Sequence, residues 1–167
     1  MSTKRFVAAC AAAFVVSQVL EILIHGFILG PDYKPFYGTL LRPMDRGADW
    51  RALLLPLAHL SFIIAFVWVY ARAATSTSWV RSGIVFGIFG WAIGQVPLWL
   101  LWYAEQPWPD SLVVKQLVLE LVASVIVGLV VASIVRVPWG VRTDDDRRQA
   151  GDSSDSRQRQ AVVNSAG

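Results

Sequence analysis

The sequence predicts an all-α protein, a four-helix up-down transmembrane bundle followed by a disordered C-terminal tail. Three observations predict it. Four apolar runs of about 23–25 residues are long enough, at 1.5 Å per residue, to cross a hydrocarbon core of roughly 30 Å. Charged residues are 16% of the chain and hydrophobic ones 55%, whereas a soluble domain carries roughly a quarter charged residues. The charges also sit between the runs, and mean hydropathy is +0.50.

The first span covers residues 6–29 and stops at Gly30-Pro31. The second covers residues 52–74, with Pro56 in its first turns. The third covers residues 79–103 and is closed by Pro107 and Pro109, and the fourth covers residues 112–135 and is stopped by Pro138. Backbone groups in lipid must pair within their own segment, so runs of this length read as helices. Residues 1–140 form the transmembrane domain. Residues 141–167 are rich in Asp, Arg, Ser and Gln and lack aromatic residues. Such a tail cannot bury enough apolar surface to fold. Its run Asp144-Asp145-Asp146 reads as solvated tail rather than as a metal site.

Cys10 is the one cysteine, which excludes an internal disulfide and a thiolate metal cluster built from this chain alone. Val7-Ala8-Ala9-Cys10 resembles a lipoprotein cleavage box, but too few apolar residues precede it for a secretory segment. The first run also holds Glu21 and His25, so it is expected to remain as a helix. The net charge of +3 is small and scattered, which points away from nucleic acid and toward topology. Lys4, Arg5, Arg72, Arg81, Arg136 and Arg142 fall on one side of the four runs. Lys34, Arg42, Arg46, Arg51 and Lys115 fall on the other, with Asp32, Asp45 and Asp49 among them. The bias places both termini in the cytoplasm of a multi-pass protein of the plasma membrane. Trp residues gather toward the ends of the runs, as interfacial anchors do. The long connection from Gly30 to Arg51, with Tyr33, Phe36 and Tyr37, is expected to lie on the bundle mouth or among lipid headgroups.

Two stripes of small residues mark packing faces. Gly83, Gly87, Gly90 and Gly94 return to one side of the third span, and Ser124, Gly128 and Ala132 do the same on the fourth. The glycine face is also a candidate surface for a partner subunit or a second copy.

Polar side chains provide the functional signal. Glu21, His59, Gln95 and Glu120 each lie about seven or eight residues inside the same end of their spans, roughly 10–12 Å below the boundary. Gln18, Glu21 and His25 share a stripe on the first span, and Gln116, Glu120 and Ser124 share one on the fourth. The second of these runs into the small-residue stripe, which directs Glu120 into the bundle. Gln95 stands beside the glycine stripe rather than on it. A carboxylate near a helix centre costs about 2.5–3.5 kcal/mol on insertion scales, so such a layer calls for an explanation.

Four readings stand open. The layer fixes helix register through hydrogen bonds, which average about 0.6 kcal/mol each. Or Glu21, His25, His59, Gln95 and Glu120 line a polar pocket in the outer half that takes a small amphipathic ligand or a proton. Or Glu21, His25, His59 and Glu120 hold zinc or non-haem iron. Or a b-type haem lies between His25 and His59, the two histidines. No cofactor is called for by any motif, and nucleophile motifs, phosphate loops and dinucleotide fingerprints are absent. The expectation is a membrane protein of binding or accessory type, with the lipid bilayer as its first partner and a metal- or haem-binding redox protein or enzyme subunit as the alternative.

Overall fold

A computed structural model describes residues 1–42, 50–74 and 78–135, all within one compact unit, Met1–Val137. Pro43, Asp45, Arg46 and Asp49 of the long connection lie outside these residues. So do Arg136, Arg142 and the tail expected to be disordered. Among the described residues no strand forms, apart from an isolated bridge between Tyr37 and Leu41.

Helix α1 begins at Thr3, where the Ser2 hydroxyl accepts the amide of Arg5 at 3.5 Å. It is α-helical through Glu21, then widens into a π-helix over Ile22–Ile28. The Leu29 amide closes that stretch on the carbonyl of Ile24, five residues back. Gly30-Pro31 then redirects the chain into a short helix, α2 (Gly30–Tyr33). A 3-10 turn at Trp50–Leu53 leads into α3 (Leu54–Ala73). Pro56 sits in the first turn of α3, where its missing N–H costs no helix bond. Ser78 caps α4 (Trp79–Glu105), which runs through Pro97. Pro107 and Pro109 make the corner into α5 (Asp110–Val135). The four long helices coincide with the apolar runs of the sequence to within a few residues at each end.

The four long helices alternate in direction and are each apolar enough to cross a membrane. Large apolar side chains such as Val15, Ile22, Phe27, Leu57, Trp68, Ile93 and Val122 point outward from the bundle. In water that surface would be a liability; in lipid it is solvated. The architecture is compatible with a multi-pass membrane protein. Helix α5 is the most enclosed, and it packs against α1 and α4, while α3 packs against α1.

The small-residue stripes make the closest contact. A Cβ placed on Gly87 would lie 2.6 Å from Cα of Val125 and 2.7 Å from the Ser124 carbonyl; one on Gly83 would lie 2.8 Å from Cα of Leu129. Helices α4 and α5 thus touch backbone to backbone. The stripe then changes partner, because Gly90 and Gly94 receive the rings of Phe66 and Phe62 from α3. Of the face named as a candidate surface for a partner subunit or second copy, Gly83, Gly87 and Gly90 are buried against this chain's own helices.

Two apolar clusters bracket the polar layer. One, nearer the chain ends, contains Ala9, Cys10, Ala13, Ile63, Val67, Tyr70, Val127 and Val131. The other, at the end that carries the long connection, contains Ile24, Leu29, Tyr33, Trp108, Leu112 and Val113.

Candidate ion-binding site

Between these clusters α1 and α5 bring four polar groups together, and α2 adds a fifth. Nε2 of His25 lies 2.9 Å from Oε2 of Glu21 and 3.1 Å from Oε1 of Glu120. The Gln116 amide nitrogen lies 3.0 Å from the same Glu120 oxygen and 3.2 Å from Nε2 of His25. On the other side of the ring, Nδ1 of His25 lies 3.2 Å from the Tyr33 hydroxyl, which donates to Oε1 of Gln116 at 2.5 Å. The Tyr33 ring is stacked on the imidazole, 5.8 Å between centroids. Side-chain exposure falls from 34% at His25 and 22% at Glu21 to 4% at Glu120, so the cluster reaches from the bundle surface into its core. Every buried side-chain nitrogen or oxygen among the described residues has a hydrogen-bond partner.

Local structure explains the convergence. Gln116 and Glu120 are one helical turn apart on α5, on the face that continues into the stripe packed on α4. The π-helical stretch begins directly after Glu21 and contains His25; it widens the turn that carries the imidazole toward α5. Single π turns inside α-helices occur often at functional sites. Tyr33 is folded back over the cluster by the Gly30-Pro31 corner. It is held there by Trp108, edge-on at 6.5 Å, and by the ion pair of neighbouring Asp32 with Lys115 of α5 at 2.8 Å.

The hydrogen bonds fix where protons must be. Burial raises the pKa of the Tyr33 phenol, and the nearby carboxylates Glu120 and Glu21 raise it further, so the hydroxyl keeps its proton. That single proton is directed at Oε1 of Gln116, an atom that can only accept. Rotating the amide would press its carbonyl against the Glu120 carboxylate. The Tyr33 oxygen is therefore the acceptor from Nδ1, which must carry a hydrogen. Nε2 faces two carboxylate oxygens at 2.9 and 3.1 Å and the Gln116 amide nitrogen at 3.2 Å.

The other expected site residues stand around this cluster. His59 of α3 places Nε2 3.5 Å from Oε1 of Glu21, and its Nδ1 is 3.0 Å from the amide nitrogen of Gln18. It supports the far oxygen of Glu21 and lies outside the tight group Glu21, His25, Glu120, whose ligand atoms fall within 4.8 Å of one another. Gln95 lines the adjoining cavity with Glu21, His59 and Glu120 but makes no hydrogen bond to the cluster among the described residues. The Glu21 carboxylate contacts both imidazoles, at 2.9 Å from Nε2 of His25 and 3.5 Å from Nε2 of His59.

That cavity is small. It holds about 40 Å³ between Ser17, Glu21, His59, Phe66, Gln95 and Ser124, room for roughly three waters. Sites for drug-sized molecules run to about 300–1,000 Å³.

Gln116 and Tyr33 were not among the expected site residues. Gln116 was visible in the stripe it shares with Glu120; Tyr33, in the long connection, carried no such signal. Compared with protein families, with curated proteins and with solved structures, the chain matches none.

Proposed function

We propose that this chain is a multi-pass protein of the cytoplasmic membrane, of binding type, whose bundle holds one small cation between Glu21, His25 and Glu120. The observation that carries the reading is the pair of carboxylate oxygens at 2.9 and 3.1 Å from a ring nitrogen whose partner nitrogen already donates to Tyr33. Two acids in an apolar bundle cost several kcal/mol unless a charge of opposite sign meets them. Register-fixing hydrogen bonds alone offset little of that, at about 0.6 kcal/mol each. The cavity volume argues against a small amphipathic molecule and for an ion with a few waters.

Binding to the folded state alone raises stability with ligand concentration. In detergent, the unfolding temperature of the wild-type chain should therefore rise when cations that fit the site, protons or divalent metal ions, are supplied. Glu120→Gln keeps the shape and one acceptor but removes a charge; its unfolding temperature should no longer follow cation concentration. An unchanged dependence in Glu120→Gln would remove the site from consideration. The variant itself should fold at least as stably as wild type under conditions where the site is empty, because a buried acid has been neutralised.

The orientation belongs to the same proposal. A reporter inserted between Tyr33 and Arg42 should be active only outside the cytoplasm, and one fused after Val135 only within it. The reverse pattern would turn the cation site toward the cytoplasm.

A further inference from the structure

We infer that the occupant is a divalent transition-metal ion of the zinc class, held by Glu21 and His25 of α1 and by Glu120 of α5; this rests on the cation reading above. One ligand atom from each residue lies within 4.8 Å of the other two. The two measured edges from Nε2 of His25 are 2.9 and 3.1 Å. Bonds of about 2.0–2.1 Å to a tetrahedral zinc ion set ligand atoms about 3.3 Å apart, close to these two edges, and the third edge, Glu21 to Glu120, lies within 4.8 Å.

Geometry favours an ion held by all three side chains, because Oε2 of Glu21 and Oε1 of Glu120 converge on Nε2 of His25 at 2.9 and 3.1 Å. Donor type narrows the ion. Calcium and magnesium favour cages of six or more oxygens. Thiophilic ions lack their ligand, since Cys10 lies in the apolar cluster at the other end of the bundle. One imidazole and two carboxylates suit zinc or ferrous iron.

The surrounding groups are those that orient metal ligands. Nδ1–H of His25 donates to Tyr33, Tyr33 donates to Gln116, and Gln116 donates to Glu120. His59 faces the far oxygen of Glu21. Every ligand thus has a partner outside the coordination shell. The cavity beside Glu21 and Glu120 has room for the water that would complete the shell.

The test uses the full chain in detergent, stripped with a chelator and titrated with Zn²⁺ alone, then with Co²⁺ as a coloured substitute. One ion should bind per chain. Glu120→Gln and His25→Gln should each lower affinity about 100-fold, and His59→Gln about 10-fold, as loss of an orienting group does. Glu105→Gln, which neutralises an exposed carboxylate at the end of α4, away from the cluster, should bind as wild type. The stripped variants are checked by their unfolding transitions, and the near-isosteric Glu120→Gln decides alone should His25→Gln fail to fold. Binding well below one ion per chain, or binding that Glu120→Gln leaves unchanged, overturns the inference. Should metal fail while acid still raises the unfolding temperature of wild type but not of Glu120→Gln, the cation reading stands with a proton as occupant. Should neither ligand act, both readings fall together.

Discussion

Replacing His25 with leucine should lower stability by about 3 kcal/mol, because it leaves Glu21 and Glu120 facing each other with no positive charge between them. The value belongs at the lower end of the range for broken buried pairs, since the imidazole is 34% exposed. The double variant His25→Leu/Glu120→Leu should recover most of the loss. Replacing both members of a buried ion pair by apolar residues of similar volume is often neutral or stabilising, and Glu21 keeps His59 beside it. Reversible unfolding of the two single variants and the double variant in detergent measures the coupling directly. Additive losses would mean that His25 and Glu120 act independently and that their 3.1 Å contact carries no energy.

The second large effect lies in the packing. Gly87→Ala should cost about 1–3 kcal/mol, the usual range for overpacking. The new methyl meets backbone at 2.6 and 2.7 Å, and two helices must separate to admit it. Gly94→Ala, on the same stripe, should cost well under that. Its methyl meets only the Phe62 ring at 3.1 Å, and that ring, partly exposed at 39%, can turn aside. Equal losses from the two substitutions would show that the stripe acts through glycine's effect on the helix itself rather than through close approach.

These two pairs of residues also mark how far the sequence could be read. The four helices follow from hydropathy and length, which the bilayer imposes on any chain that crosses it. Glu120 was legible as an inward group because Gln116, Ser124 and Gly128 continue its stripe, and a polar stripe on a packing face has to point inward. Spacing also showed that the third span has a glycine face. It could not show that the face is divided between α5 at Gly83 and Gly87 and α3 at Gly90 and Gly94, because that depends on how the helices cross.

The site was legible as a layer but not as a cluster. Helical rise placed Glu21, His59, Gln95 and Glu120 at one height, yet height says nothing about which of them touch. Glu21 and Glu120 meet at His25, while Gln95, beside the glycine stripe, only lines the cavity. The position of His25 depends on the π-helical stretch Ile22–Ile28, and no propensity in Ile-Leu-Ile-His-Gly marks it. Tyr33 was out of reach for a different reason. It enters the site because a corner at Gly30-Pro31, Trp108 from the next connection and an ion pair between Asp32 and Lys115 hold it over the imidazole. The last two are contacts between segments far apart in the chain.

The central claim is that a positive occupant sits on Nε2 of His25, and nitrogen-15 magnetic resonance of the histidine-labelled full chain reads that atom directly. With two histidines in the sequence, His59→Gln assigns the signals. The account predicts that Nδ1 of His25 carries a hydrogen and that Nε2 is either protonated or metal-bound at neutral pH. A proton on Nε2 would show its one-bond coupling, and a metal would show a shifted nitrogen that reverts on chelation. A His25 Nε2 with the signature of a bare, unprotonated and unmetallated imine nitrogen would contradict the account.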